Sequence, residues 1–234
     1  MTTPSTTTRR HWREFWATKA SPLHADETET GYRSLADELR LLFPGSAVRR
    51  VLEIGCGNGA MFEPLGFHRA EKYLGIDFSP AMLDEFRARF PTVDLAEGDA
   101  TTFRTTRTFD LIFSSHVVQY WDRRQLADHL ENARAMIADD GYVVITGFPW
   151  RRMRLAQARG DLNGGDLIGS GRQSLPVAAL NLLRELLLPR IGHWYDFPEL
   201  ERLAAAHRFS VTFRGSGYYP YRFHAILEPV AQLS

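Results

Sequence analysis

The sequence is poor in several things, and each shortage closes off a class of protein. A single cysteine, Cys56, stands among 234 residues, so an intramolecular disulfide framework and a thiolate metal site are both excluded, and a reducing, cytoplasmic setting is expected. No run of about 18 apolar residues exists to span a bilayer, so no stable membrane insertion is expected. The first ten residues, rich in Thr and Ser, lack the apolar core of a signal peptide and are expected to form a disordered tail. Charge of one sign is not in excess: 28 Lys plus Arg balance 28 Asp plus Glu, leaving no global field to draw a polyanion, and no nucleic-acid partner is expected. Lysine itself is scarce, at Lys19 and Lys72 alone, a bias that reads as GC-rich codon usage and a bacterial source.

Apolar residues make up 44% and aromatics 12% of the chain, an ordinary globular composition. Residues 11–234 are expected to form one domain. Trp12, Phe15 and Trp16 share one face of a helix expected over 11–20, and Leu35, Leu39 and Leu42 do so over 31–43. Short apolar strands are expected at 51–54, 73–77, 93–97, 109–114 and 142–146. Between them lie helices at 79–90, where Ser79-Pro80 supplies a cap and a first-turn proline, and at 123–138, which the Asp139-Asp140-Gly141 turn ends. A helix at 197–207 and strands at 209–213 and 221–227, linked by Gly215-Ser216-Gly217, complete the chain. Strands that alternate with crossover helices predict a mainly parallel sheet covered on both faces. Residues 149–195 break the rhythm and read as an insertion. It opens with Arg151, Arg152 and Arg154 and closes with an apolar helix over 175–188 that a lid position, a homodimer contact or, less well, a membrane surface would cover.

The chemistry concentrates at three strand ends. Gly55-Cys56-Gly57-Asn58-Gly59 follows the first strand, letting backbone approach a ligand and opening a helix. Asp77 closes the second strand twenty residues beyond Gly57, where a carboxylate can accept from both hydroxyls of a ribose. Ala60 stands where a dinucleotide fingerprint would carry its third glycine, so these two features alone admit NAD as well. Glu97-Gly98-Asp99-Ala100 adds a carboxylate after the third strand, placed to meet an adenine amino group.

Taken in order, Val51 to Gly59, Gly75 to Ser79, Gly98-Asp99-Ala100 and Phe109 to Ser114 resemble the motifs of Rossmann-like (class I) S-adenosylmethionine-dependent methyltransferases. The resemblance is close over 48–148 and looser over the last two strands. It implies an α/β, doubly wound, seven-stranded sheet with an antiparallel last strand, capped by the N-terminal helical segment and by the 149–195 lid. It implies S-adenosylmethionine as methyl donor and S-adenosylhomocysteine as product. Glu53, Gly55, Cys56 and Gly57 would face the methionine moiety, Asp77 the ribose, Phe78 an adenine face, Asp99 and Ala100 the adenine edge, and Ser114 the amino group.

Methyl transfer requires an in-line arrangement, and a hydroxyl acceptor adds the need for a base. His116 and His193 are the candidate bases; Gln119, Tyr120, Trp150 and Tyr195 are candidate substrate contacts; His224, inside the last strand, reads as a core histidine. Ser114-Ser115-His116-Val117 replaces the Asn-Pro-Pro-Tyr motif of enzymes that methylate nucleic-acid bases, and no residue set suggests a divalent metal. The expected function is metal-independent O-methylation of a small molecule such as a natural product or sugar. The alternatives are small-molecule N-methylation, a cofactor-binding relative without methyl transfer, and an NAD-dependent oxidoreductase.

Overall fold

In the computed structural model, the described residues are 29–43, 49–159, 162, 176–177, 179–181, 183 and 192–231. The expected tail, the helix at 11–20, the glycine-rich middle of the insertion and most of the 175–188 helix lie outside them.

The chain runs α1 (Glu29–Arg40), β1 (Arg50–Ile54), β2 (Lys72–Asp77), α2 (Pro80–Arg89), β3 (Leu95–Glu97), β4 (Phe109–Ser115), α3 (Arg123–Met136), β5 (Ile137–Pro149), α4 (Arg154–Ala158), α5 (Phe197–Ala206), β6 (Phe209–Gly215) and β7 (Arg222–Pro229). The strands form one sheet in the order β3-β2-β1-β4-β5-β7-β6. β7 runs antiparallel to both neighbours and the other six are mutually parallel, as the resemblance implies.

The central strands are apolar without alternation because both faces are covered. Leu35 and Leu39 of α1 pack with Leu83 and Phe86 of α2 on one face. Leu126, Leu130 and Ala133 of α3 and Leu200 and Ala204 of α5 pack on the other. The helix ends follow their sequence signals. Ser79 Oγ accepts the Met82 N–H at the start of α2. At α3, Asp122 Oδ1 accepts the Gln125 N–H at 2.8 Å while Gln125 Oε1 accepts the Asp122 N–H at 2.9 Å, a reciprocal cap.

Two expectations about boundaries are corrected. The glycine loop opens no helix: Gly55, Gly57, Gly59 and Gly66 take φ values of 75°, 53°, 75° and 80°, which an α-helix cannot accommodate, and residues 55–66 form successive turns. The fifth strand begins at Ile137, directly after α3, and pairs with Phe109 before Asp139, Asp140 and Gly141 bulge out at a register shift. Those three residues interrupt a strand instead of introducing one. The connection between β6 and β7 spans residues 216–221, close to the 214–220 left between the expected strands, and closes through Ser216 N–H to Arg222 O and Arg222 N–H to Tyr219 O.

Candidate functional site

β1 and β4 are adjacent in the sheet, and their connections depart in opposite directions. That switch point leaves a crevice beyond the carboxyl ends of the strands. A cavity of about 200 Å³ sits there, lined from β1, β2, β4, the loops after β1 and β3, and α1. Glu53, Gly55, Cys56, Gly57, Asp77, Phe78, Ala100, His116, Gln119 and Tyr120, all singled out from sequence, line it together.

The glycine loop is stitched to the end of β2. The N–H groups of Gly55 and Cys56 donate to Ile76 O at 2.7 and 3.1 Å, and Gly57 N–H donates to Asp77 Oδ2 at 2.9 Å. Asp77 Oδ1 accepts the Ser79 N–H at 2.9 Å, so the same carboxylate fixes the start of α2. Glycine is required at 55, where a Cβ would lie 2.3 Å from Val117 Cγ2 and φ is 75°. At Gly57 a Cβ would meet nothing within 4 Å, so open space lies against the loop where a ligand can approach the backbone.

Electrostatically this wall is acidic and dry. Glu53 is 3% exposed, and burial, partly offset by the Tyr73 hydroxyl that donates to its Oε2 at 2.5 Å and reinforced by Asp77, pushes its pKa up to about 8. Burial also raises Asp77, against the N–H groups of Ser79, Gly57 and Phe78 that hold its ionised form. Burial drives the Cys56 thiol well above its ordinary value, with Glu53 and Asp77 adding to the effect. Cys56 is therefore an inert wall residue and no nucleophile. Carboxylates, open space at Gly57 and apolar walls from Leu35, Met61, Ile76, Phe78 and Met82 suit a ligand that joins cationic and hydroxyl groups to a flat heterocycle.

The far wall is built around His116, which adopts φ 58°, one of two non-glycine residues with positive φ among those described. Its ring packs edge-on to Tyr219 at 5.2 Å, and its Nδ1 shares a 2.9 Å hydrogen bond with Ser115 Oγ. The ring lies against Gly147, where φ is 79° and a Cβ would sit 2.7 Å from His116 Cδ2. Nε2 is buried, and Nδ1 is engaged by Ser115, which with His116 lines the cavity.

Other expected residues lie elsewhere. Strand alternation turns Ser114 away, and Ser115 lines the cavity in its stead. Asp99 Oδ1 accepts the N–H and hydroxyl of Thr101 at 2.8 and 2.7 Å, bracing the loop whose Gly98 and Ala100 reach the cavity. His193, Trp150 and Tyr195 are absent from the lining. His193 N–H donates to Gln119 O at 2.9 Å, and burial lowers its pKa. Trp150 stacks on Phe197 at 5.1 Å. The Tyr195 hydroxyl, raised by burial, donates to the carbonyls of Val118 and Trp121 inside the core. These three join the insertion to the sheet. His224 is the core histidine expected, with Gly147 N–H donating to Nδ1 at 3.2 Å.

Tyr219 and His129 are not among the residues singled out from sequence. His129, 2% exposed, donates from Nδ1 to Ala100 O at 3.1 Å, and burial lowers its pKa to about 4. With Asn132 Nδ2 donating to Thr101 O at 2.8 Å, it clamps the loop after β3 onto α3. No local pattern could have disclosed either contact.

A family profile described as a methyltransferase domain matches residues 51–141. Among curated relatives, a trans-aconitate 2-methyltransferase of Methylobacterium radiotolerans is 38% identical over 96 residues, 40% of this chain and 35% of that one. A malonyl-[acyl-carrier protein] O-methyltransferase of Haemophilus ducreyi is 34% identical over 107 residues, 43% and 41% of the two chains. The matches thus span well under half the length of these relatives. The solved DhpI-SAM-HEP complex superposes with a TM-score of 0.65 at 18% identity, covering 98% of this chain and 100% of that one, a likeness of fold.

Proposed function

We propose that this chain, whose residues 51–141 match a methyltransferase-domain profile, is a Rossmann-like S-adenosylmethionine-dependent methyltransferase that transfers the donor's methyl group to a hydroxyl oxygen of a small-molecule acceptor, releasing S-adenosylhomocysteine. The observation that carries this reading is the meeting, in one cavity, of an acidic glycine-loop wall with His116 opposite.

Glu53 and the backbone of Gly55, Cys56 and Gly57 would hold the methionine end, Asp77 the ribose hydroxyls, and Phe78 with Ala100 the adenine. S-adenosylmethionine supplies a methyl group on a cationic sulfur, which departs as a neutral thioether. Among the described residues the cavity lining holds no Arg or Lys, so the Asp77 carboxylate, joined by Glu53 once a cation displaces its proton, would favour that positive charge in the bound donor. Leu35, Met61 and Val117 exclude water, which lowers the solvent reorganisation that displacement at carbon would otherwise require. Gln119, Tyr120 and Tyr219 would orient the acceptor. As the oxygen–carbon bond forms and the sulfur–carbon bond breaks, the acceptor's hydroxyl proton passes to Ser115 Oγ while the Ser115 hydroxyl proton passes to His116 Nδ1.

A carboxylate oxygen is the second reading, favoured because the relatives' names specify an aconitate and a malonyl acceptor. It requires no base, so one variant separates the two. Purified protein with methyl-labelled donor and a panel of phenols, sugars and carboxylic acids is the test. Transfer to a hydroxyl compound that falls about 100-fold in His116→Asn supports the first reading. Transfer to an acid at an unchanged rate in His116→Asn supports the second, and donor binding without transfer to any acceptor rejects both.

A further inference from the structure

His116 is held in a left-handed backbone conformation that a non-glycine residue adopts at a cost of roughly 1 kcal/mol or more, and such a conformation persists only where its surroundings impose it. What imposes it can be followed bond by bond. Gln119 Nε2 donates to His116 O at 3.0 Å. Gln119 Oε1 accepts from Arg222 Nη2 at 2.8 Å, which assigns the amide orientation from its partners. Arg222, 7% exposed, places Nη1 2.6 Å from Gly147 O, and Gly147 is the residue against which the His116 ring lies. Gly147 N–H donates to His224 Nδ1, so His224 carries its proton on Nε2 and donates it to Glu38 Oε1 at 2.8 Å. Glu38 belongs to α1, the helix whose Leu35 roofs the cavity, and its Oε2 accepts the Tyr218 N–H at 2.8 Å beside Tyr219.

Charge explains why this chain of bonds exists. Arg222 is a buried cation whose hydrogen-bond partners are neutral, while the faces of Tyr219 and Tyr221 lie 5.6 and 5.0 Å from its Cζ. Glu38 is the carboxylate at the other end of the chain, held below the usual carboxylate range by hydrogen bonds from His224, Ser216 and Tyr218 that outweigh desolvation. The pair spans the far wall from roof to base.

We propose that Arg222 and Gln119, linked through Gly147 and His224 to Glu38 on α1, are positioning residues that fix His116, so that the seating of the roof helix and the orientation of His116 are one event. The functional consequence rests on the reading of His116 as the base, and the structural coupling does not. Labelling with ¹⁵N-histidine and following the His116 ring nitrogens by NMR, beside steady-state kinetics and S-adenosylhomocysteine affinity, tests both. In Arg222→Met, kcat falls about 10- to 100-fold with affinity for S-adenosylhomocysteine within about twofold of the original. The His116 ring signals move and those of His129 stay. Glu38→Ala, which does not touch His116, moves the same His116 signals in the same direction with a smaller loss of kcat. Arg222→Lys, which keeps the cation and loses the fork, falls between. Unmoved His116 signals in Glu38→Ala and Arg222→Met overturn the coupling, as does a loss in which kcat, affinity and the His129 signals all decline together. Full turnover in His116→Asn with His116 signals still responsive in Glu38→Ala removes the base assignment and leaves the coupling standing.

Discussion

Glu53 is buried in the cavity wall and Glu38 stands half-buried behind the opposite wall, and their opposite behaviour separates the two sides. Glu53, on the donor side, has the Tyr73 hydroxyl as its hydrogen-bond donor and an acidic neighbour in Asp77; desolvation wins, and its proton is retained up to about pH 8. Glu38, on the far side, is also desolvated, yet donors from His224, Ser216 and Tyr218 reverse the balance and keep it ionised. The difference is a balance: Glu53 is fully buried with one donor, whereas Glu38 is half-buried with three, and desolvation weighed against donors sets each carboxyl's state. The donor wall is an acidic site awaiting a cation. The far wall already contains its own in Arg222 and is closed on itself.

The comparison can be sharpened first through pH. Glu53 has a folded pKa above its unfolded value of 4.5, so its contribution is fully present below pH 4.5 and is lost as pH rises towards 8. Denaturant unfolding of the original protein should lose up to about 4 kcal/mol across that window relative to Glu53→Gln. His129 has the opposite sign. Its folded pKa of about 4 lies below the unfolded 6.5, both states are neutral above 6.5, and acidification from there to 4 lets the unfolded chain take a proton that the fold refuses. Relative to His129→Gln, the original protein should lose up to about 3 kcal/mol over pH 6.5 to 4. Slopes of equal sign in the two pairs would break the assignment of either environment.

Next in size, Asp77→Ala removes the acceptor of both the Gly57 and Ser79 amides and should weaken S-adenosylhomocysteine binding about 100-fold by calorimetry. On the opposite wall, Gly147→Ala drives a methyl group into His116 at a positive φ. It should lower kcat about 10- to 30-fold while leaving that affinity within about twofold. If Gly147→Ala weakens binding as much as it slows turnover, the two walls are not separable. The smallest effect is expected far from either: Asp110, which pairs with Arg50 at 2.5 Å across a largely solvated contact, should change thermal stability by less than about 1 kcal/mol when replaced by alanine.

The donor wall was legible because each of its parts is local. Gly55 and Gly57 follow a strand directly, and Asp77 and Ala100 end or follow the next two, so period and punctuation locate them without knowledge of the rest of the chain. The seven-stranded, mainly parallel sheet with its antiparallel last strand followed from the same alternation together with the family resemblance. Ser114 was misplaced by one residue because strand alternation gives opposite faces to Ser114 and Ser115, and sequence does not reveal which face meets the cavity. Trp150, His193 and Tyr195 sit where strand ends and an insertion would suggest pocket residues, but Tyr195 is drawn into the core, where two carbonyls take its hydroxyl.

The sequence by itself determined the alternation of strands and helices, the glycine loop with its carboxylates, and hence the chemical character of the donor wall, since each rests on contacts among residues close along the chain. Tertiary structure alone decided the far wall. Glu38 meets His224 across 186 positions and Arg222 meets Gln119 across 103. Hydrogen bonds of that separation have no periodicity to betray them, because they exist only once a sheet has brought its first helix and its last strand to the same edge of one cavity.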